Sequence, residues 1–193
     1  MKKNFKIEKR STLYKGFFSL DEIILKHIKH DGKWSNLMRR ELFSGAQVSA
    51  VLPYDPLKKK IILIKQFRPG VLKQKTDPIL DEIVAGIIDK GETPRKAAIR
   101  ECEEETNCKI SKLKKICSYF PAPASSESFY HLFIGEVKSF TGTRITGKIN
   151  ENENILVKCY SINQVKKLLD QNKIVNGLTL IALQWFFLNY YKN

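Results

Sequence analysis

Four glutamates, Glu101, Glu103, Glu104 and Glu105, fall within five positions of one another in a chain whose formal net charge is +14. Like charges that close repel, so the cluster asks for a compensating cation. On a helix, Glu101, Glu104 and Glu105 share one face, because positions three and four apart are neighbours. Upstream the chain reads Gly86-Ile-Ile-Asp-Lys-Gly-Glu92, and Arg100 follows after seven further residues. Gly86 and Gly91 let the backbone turn sharply. A carbonyl at the end of the preceding strand, such as that of Ala85, could supply one more oxygen. Carboxylates on a helix beside a tight glycine turn can hold Mg2+ against a phosphate. The competing reading is an exposed acidic helix face balanced by Lys and Arg. The fixed spacing of Gly86, Glu92 and Arg100 argues against it.

Such a cluster needs a frame, and the chain supplies signals for one. Thr93 is a helix cap with Pro94 in the first position, and the helix should run to about Thr106. Ala97, Ala98 and Cys102 are small enough to pack it on a sheet. Glu82 to Ala85 reads as a short strand leading into Gly86. Val48 to Tyr54 and Ile61 to Phe67 are apolar strand runs around the turn Asp55-Pro56-Leu57-Lys58. Ile116 to Phe120, Phe129 to Val137 and Ile155 to Tyr160 read as further strands. Ile162 to Gln171 and Leu178 to Tyr191 read as helices. Residues 5 to 45 read as an extended arm: Leu20 to His30 is rich in β-formers, Asp31-Gly32 is a hairpin signal, and Trp34 to Phe43 returns. Strands, a central helix, more strands and closing helices predict a mixed α/β sandwich.

The length of 193 residues, 42% apolar, suits one globular domain with a small appended arm. The longest apolar stretch, Leu178 to Tyr191, is short and contains Gln184 and Asn189, so no transmembrane span is expected. The basic start of the chain is followed by no apolar core and does not read as a secretory signal. Cys102, Cys108, Cys117 and Cys159 show no Cys-x-x-Cys pairing and no zinc-type spacing with the histidines, which predicts reduced thiols in a cytoplasmic protein. The positive charge could attract nucleic acid or a polyanionic small substrate. There are 27 Lys against 7 Arg, and the lysines are scattered with no aromatic-interleaved stripe. Nucleic acid is therefore not expected as a partner. The scarce arginines Arg39, Arg40, Arg68 and Arg100 sit beside motif-like sequence, where a bidentate fork is hard to replace by lysine.

The order Gly, five residues, Glu, seven residues, Arg-Glu, apolar, any, Glu-Glu, any, Gly, apolar resembles the box of the Nudix hydrolases. Here Gly86, Glu92, Arg100, Glu101, Cys102, Glu104, Glu105 and Cys108 fill it. Asn107 stands where the family has Gly, a mild change, since Asn tolerates a left-handed helix end. The segments Thr12–Asp21, Arg39–Glu41, Leu52–Pro56, Ile64–Arg68, Glu151–Glu153 and Ile181–Trp185, with Pro123 downstream of the box, resemble the bacterial ADP-ribose pyrophosphatase subfamily.

That resemblance implies a fold, a reaction and a set of roles. The fold would be an α/β/α sandwich with a mixed sheet over residues 46–193, and an N-terminal β-rich dimerisation arm over residues 1–45. The reaction would be Mg2+-dependent hydrolysis of ADP-ribose to AMP and ribose 5-phosphate, with Mn2+ as a substitute metal. Glu101, Glu104, Glu105, Glu153 and the Ala85 carbonyl would serve the metal, and Glu151 would be the base. Gly86, Glu92 and Arg100 would support the site. Phe17 and Phe18 would meet the adenine, Arg40 and Glu41 would make polar contacts at a subunit boundary, and Arg68 would grip the diphosphate. Ile87 lies in the turn that contacts substrate, and Glu127 matches an acid of the loop after the box. That loop is shorter here than in the family and lacks its paired glycines. A homodimer with exchanged arms is implied, since a β-rich arm of about forty residues cannot bury its own apolar face. The alternatives are a nucleotide-sugar pyrophosphatase acting on GDP-mannose, and a basic nucleic-acid-binding protein on the same fold.

Overall fold

The computed structural model describes residues 4–148 and 152–191. The chain forms two compact units: one runs to Gln47 and takes in Phe120–Phe129, the other comprises Val48–Tyr119 and Tyr130 onward. The first unit is a three-stranded antiparallel sheet of β1 (Phe5–Lys15), β2 (Ser19–His27) and β3 (Met38–Phe43). The Asp31-Gly32 turn forms as expected, with Gly32 at φ 79°. The return strand is shorter than expected: an isolated Ile28–Trp34 bridge lies just past β2, and regular pairing starts at Met38. Arg10 ties this unit together. Its guanidinium meets buried Asp21 from Nε at 2.7 Å and grips Glu127 at two points, 3.0 and 2.6 Å. Phe5, Ile7, Leu13 and Tyr14 of β1 all lie exposed.

The second unit is built on an eight-stranded sheet ordered β10-β11-β5-β4-β9-β8, with two short strands set against β5 and β4. These strands are β4 (Gln47–Asp55), β5 (Lys60–Phe67), β6 (Ile79–Glu82), β7 (Val84–Ile87), β8 (Lys112–Tyr119), β9 (Phe129–Glu136), β10 (Thr143–Thr146) and β11 (Ile155–Ser161). β5 carries Ile61-Ile-Leu-Ile64, all fully buried, as a strand covered on both faces must. Alternate residues feed two separate cores. Leu52, Tyr54, Ile61 and Leu63 pack with Val165 of α2 (Ile162–Asp170) and with Ala182 and Leu183 of α3 (Gly177–Trp185). Val51, Ile62, Ile64 and Val84 pack with Ala98 and Cys102 of α1 (Pro94–Thr106). One helix therefore covers one face and two cover the other, the α/β/α sandwich expected.

The expected strand from Glu82 to Ala85 is instead a junction between two strands. β6 pairs with the end of β5, from Ile64 to Phe67, and β7 pairs with the start of β4, from Val48 to Val51. β4 and β5 meet directly only at Tyr54 and Asp55. The two long strands diverge from that turn, and the chain fills the opening by switching partners at Ile83. β6 and β10 were not anticipated: each is only four residues long and lacks a clear period. The last helix ends at Trp185, and Phe186–Tyr190 widens into a π turn. That turn stacks Tyr191 on Phe186, with ring centroids 5.6 Å apart.

Candidate metal and phosphate site on the acidic helix

α1 begins where the sequence placed it. Thr93 accepts the Lys96 N–H at 3.3 Å and Pro94 occupies the first turn. It ends on Asn107, whose φ of 54° is left-handed and whose N–H donates to Glu103 O. The buried stripe comprises Ala97, Ala98, Cys102, Glu105 and Thr106. Glu105 is thus part of the packed face, 6% exposed, on a helix whose core-facing residues are otherwise small. Burial also lifts the Cys102 thiol, to about 12. Glu101 flanks the stripe, while Glu103 and Glu104 turn outward. Glu104 therefore does not share the buried face with Glu101 and Glu105. It pairs instead with Lys148 at 3.1 Å.

Arg100 organises the edge of this helix. Its Nε and Nη2 grip Glu92 at 3.1 and 2.9 Å. Nη1 donates to Glu101 at 2.6 Å and to Glu104 at 3.5 Å, and Nη2 also reaches the Ile87 carbonyl at 3.2 Å. All five guanidinium N–H groups are engaged. The fork holds the Glu92 carboxyl below its ordinary range. Gly86 is required at its position: a Cβ there would lie 2.0 Å from Glu101 Oε1. The glycine lets the helix bring its first glutamate against the β7 backbone.

Glu105 is the most strained of the acids. Burial raises its carboxyl well above the usual value, and the charges of Glu101 and Glu153 raise it further. The Ala85 backbone hydrogen bond and the charge of Arg68 act the other way. Its Oε2 is buried and has no hydrogen-bond partner. Burial also raises Glu101, opposed by Arg100. Among the described residues, no three acidic, histidine or cysteine side chains already stand in metal-holding geometry. Glu101 is drawn to Arg100 and Glu104 to Lys148, so the protein's own cations now offset part of the repulsion. The donor set still fits a hard divalent cation. It consists of carboxylate oxygens, one of them buried and unmatched.

The edge of β7 adds to this set. Ile87 O receives Arg100, and the Ala85 backbone acts to lower the Glu105 carboxyl. Residues 85 and 87 are thus the β7 positions whose backbone groups act on α1.

A family model of the NUDIX domain matches residues 44–178. The chain belongs to the Nudix family. Among its relatives, an ADP-ribose pyrophosphatase of Escherichia coli is 35% identical over 98% of this chain and 90% of its own length. One from Haemophilus influenzae is 38% identical over 93% of this chain and 84% of its own length. A GDP-mannose pyrophosphatase of Salmonella arizonae is 25% identical over 98% of both chains. The crystal structure of an ADP compounds hydrolase superposes with a TM-score of 0.69 over 95% of both chains, at 19% identity, and shares the fold.

In this Nudix chain Ala85, Gly86, Glu92, Arg100, Glu101 and Glu105 stand together. Glu153 joins them by its charge on Glu105, and its Oε2 accepts the Lys148 N–H at 3.2 Å. Arg68 also lies within electrostatic reach of Glu105 and Glu153. Ile87 is exposed at the end of β7. Glu151 lies outside the described residues. Phe17 and Phe18 form an exposed edge-to-face pair in the β1–β2 turn, 4.8 Å between centroids. Arg40 and Glu41 lie exposed on β3, Arg40 donating to the neighbouring Arg39 carbonyl. Glu127 is the two-point partner of Arg10. Two residues escaped the sequence reading. Glu82, 3% exposed, holds Arg68, and Lys148 neutralises Glu104. Glu82 sits in an apolar strand run with no spacing to mark it.

Proposed function

We propose that this chain hydrolyses the diphosphate of ADP-ribose, with water, to AMP and ribose 5-phosphate. The observation that carries this reading is the pairing of an intact acidic helix with near-full-length likeness to ADP-ribose pyrophosphatases. Likeness to GDP-mannose pyrophosphatases also spans the chain but falls to 25–28% identity.

Glu101, Glu105, Glu153 and the Ala85 carbonyl would hold Mg2+, or Mn2+ in its place, with Glu104 as a further carboxylate at the rim. Bound there, such a cation supplies Lewis-acid polarisation of phosphoryl oxygens and acidifies water. Arg68 binds the diphosphate through its guanidinium and offsets the charge that develops on its oxygens. Arg100, with all its donors engaged, orients Glu101 and fixes the turn at Ile87 rather than binding substrate. Glu151 takes the proton of the attacking water. Phe17 and Phe18 suit stacking on adenine, and Arg40, Glu41 and Glu127 are assigned to polar contacts. The exposed apolar residues of β1 support a homodimer with exchanged arms.

The test is turnover of ADP-ribose and GDP-mannose at matched concentrations with Mg2+ and with Mn2+, products identified by chromatography. ADP-ribose should be the faster substrate and should yield AMP. Equal or faster cleavage of GDP-mannose would overturn the assignment.

A further inference from the structure

Arg68 follows the last residue of β5, Phe67, which pairs with Ile79 at the start of β6. Its guanidinium is fixed from behind. Nε and Nη2 both donate to one oxygen of Glu82, at 3.0 and 2.7 Å. The other Glu82 oxygen accepts the Asn176 side-chain amide at 2.9 Å. Asn176 is itself held as the cap of α3: its Oδ1 accepts the Thr179 N–H at 2.9 Å and the Thr179 hydroxyl at 3.1 Å. The Thr179 oxygen accepts the Ile83 N–H at 3.0 Å. A closed ring of hydrogen bonds thus runs from β6 through the start of α3 and back to the β6–β7 junction. Glu82 and Thr179 are 3% and 0% exposed.

This ring does more than join a helix to a strand. A direct tie between Asn176 and the backbone would do that without burying a carboxylate. The buried Glu82 takes two of the five arginine donors and leaves three. Those three stand on a guanidinium within electrostatic reach of Glu105 and Glu153. A side chain with several rotatable bonds is thereby held in one orientation before any ligand arrives, which lowers the cost of ordering it on binding.

We propose that Glu82 and Asn176 are positioning residues that lock the Arg68 guanidinium in the orientation that receives a diphosphate beside the acidic helix. The proposal rests on the role given to Arg68 above. It assigns to the α3 cap a part in substrate binding, although α3 carries none of the acids.

The decisive variants are Asn176→Ser and Glu82→Gln in the full chain. Serine caps a helix about as well as asparagine but is too short to reach Glu82, so it separates capping from anchoring. Asn176→Ser keeps the helix cap but leaves one oxygen of buried Glu82 unmatched, so the melting temperature should fall by roughly 2–12 °C, while kcat/KM for ADP-ribose falls roughly 10- to 100-fold, the scale of lost outer-shell support. Glu82→Gln should fall at least as far. Binding of a methylene-bridged, non-hydrolysable ADP-ribose analogue should weaken in parallel. Combining Asn176→Ser with Arg68→Ala should be no worse than Arg68→Ala alone, because both act through one group. Parental kcat/KM in Asn176→Ser, or penalties that multiply in the double variant, would overturn the proposal. So would an Arg68→Ala variant with undiminished activity. Should GDP-mannose prove the better substrate, the substrate assignment fails by itself. The same cycle run on GDP-mannose still decides the role of Glu82 and Asn176.

Discussion

Replacing Glu105 by Gln should make the metal-free protein more stable and the enzyme inactive. The wild-type carboxylate is buried, keeps one oxygen unmatched, and faces the charges of Glu101 and Glu153. An unmatched buried polar group costs about 1–3 kcal/mol. The glutamine amide is neutral and removes the repulsion from those two carboxylates. A gain of that size corresponds to a rise in melting temperature of roughly 2–12 °C for a chain of this length. The pH dependence has a definite sign. A carboxyl raised above its unfolded value contributes its full stability at pH values below the ordinary range of glutamate. That contribution is lost as pH rises through the raised folded value. The advantage of Glu105→Gln in chelator should therefore be least in acid and grow toward alkaline pH. A divalent cation should close or invert that gap. At 100 times its dissociation constant it would add about 2.7 kcal/mol to the wild type and much less to the variant. Turnover should drop by more than about 100-fold, beyond the usual effect of an outer-shell change. Thermal melts with chelator or Mg2+ across pH, beside steady-state rates, test this. A variant less stable than wild type in chelator, or equally stabilised by Mg2+, would refute the reasoning.

Two further outcomes follow from the box itself. Gly86→Ala must push the Glu101 carboxylate outward by more than 1 Å, since the new Cβ would otherwise lie 2.0 Å from Oε1. The displaced group is the end of a flexible side chain, so the melting temperature should change little while kcat falls on the order of 100-fold; parental kcat would contradict the close approach. Asn107→Gly should leave stability within about 0.5 kcal/mol of the parent, whereas Asn107→Val, forced to φ near 54°, should lose about 1–2 kcal/mol, read by denaturant melts. Equal stability of the Gly and Val variants would exclude a left-handed cap.

The acidic helix was legible because its signals are local. Thr93, Pro94 and the fixed spacing of Glu92, Arg100 and Glu101 all act within a few turns. The sandwich was legible because the apolar runs of β4, β5 and β9 are long. What escaped depends on contacts distant in sequence. Glu82 meets Asn176 across 94 positions, and nothing near either residue marks the pair. The partner switch at Ile83 escaped for the same reason, because a strand that changes neighbours reads locally as one strand. Glu104 was grouped with Glu101 and Glu105 by helix spacing alone. It is the sheet that divides them, burying one side of α1 and leaving Glu104 to Lys148.

The way β5 gives onto β6 has a consequence for how such a protein can diversify. The Arg68 N–H donates to Pro78 O at 2.8 Å, which closes the intervening segment at its base. Residues 72–77 beyond that closure are all exposed. Lengthening or rewriting this excursion would leave the pinned arginine and the strands on either side where they are. The architecture thus separates a part that natural variation can redraw freely from a part that it must copy faithfully. New surface could be trialled there, a few residues along the chain from the chemistry, without each trial putting the chemistry at risk.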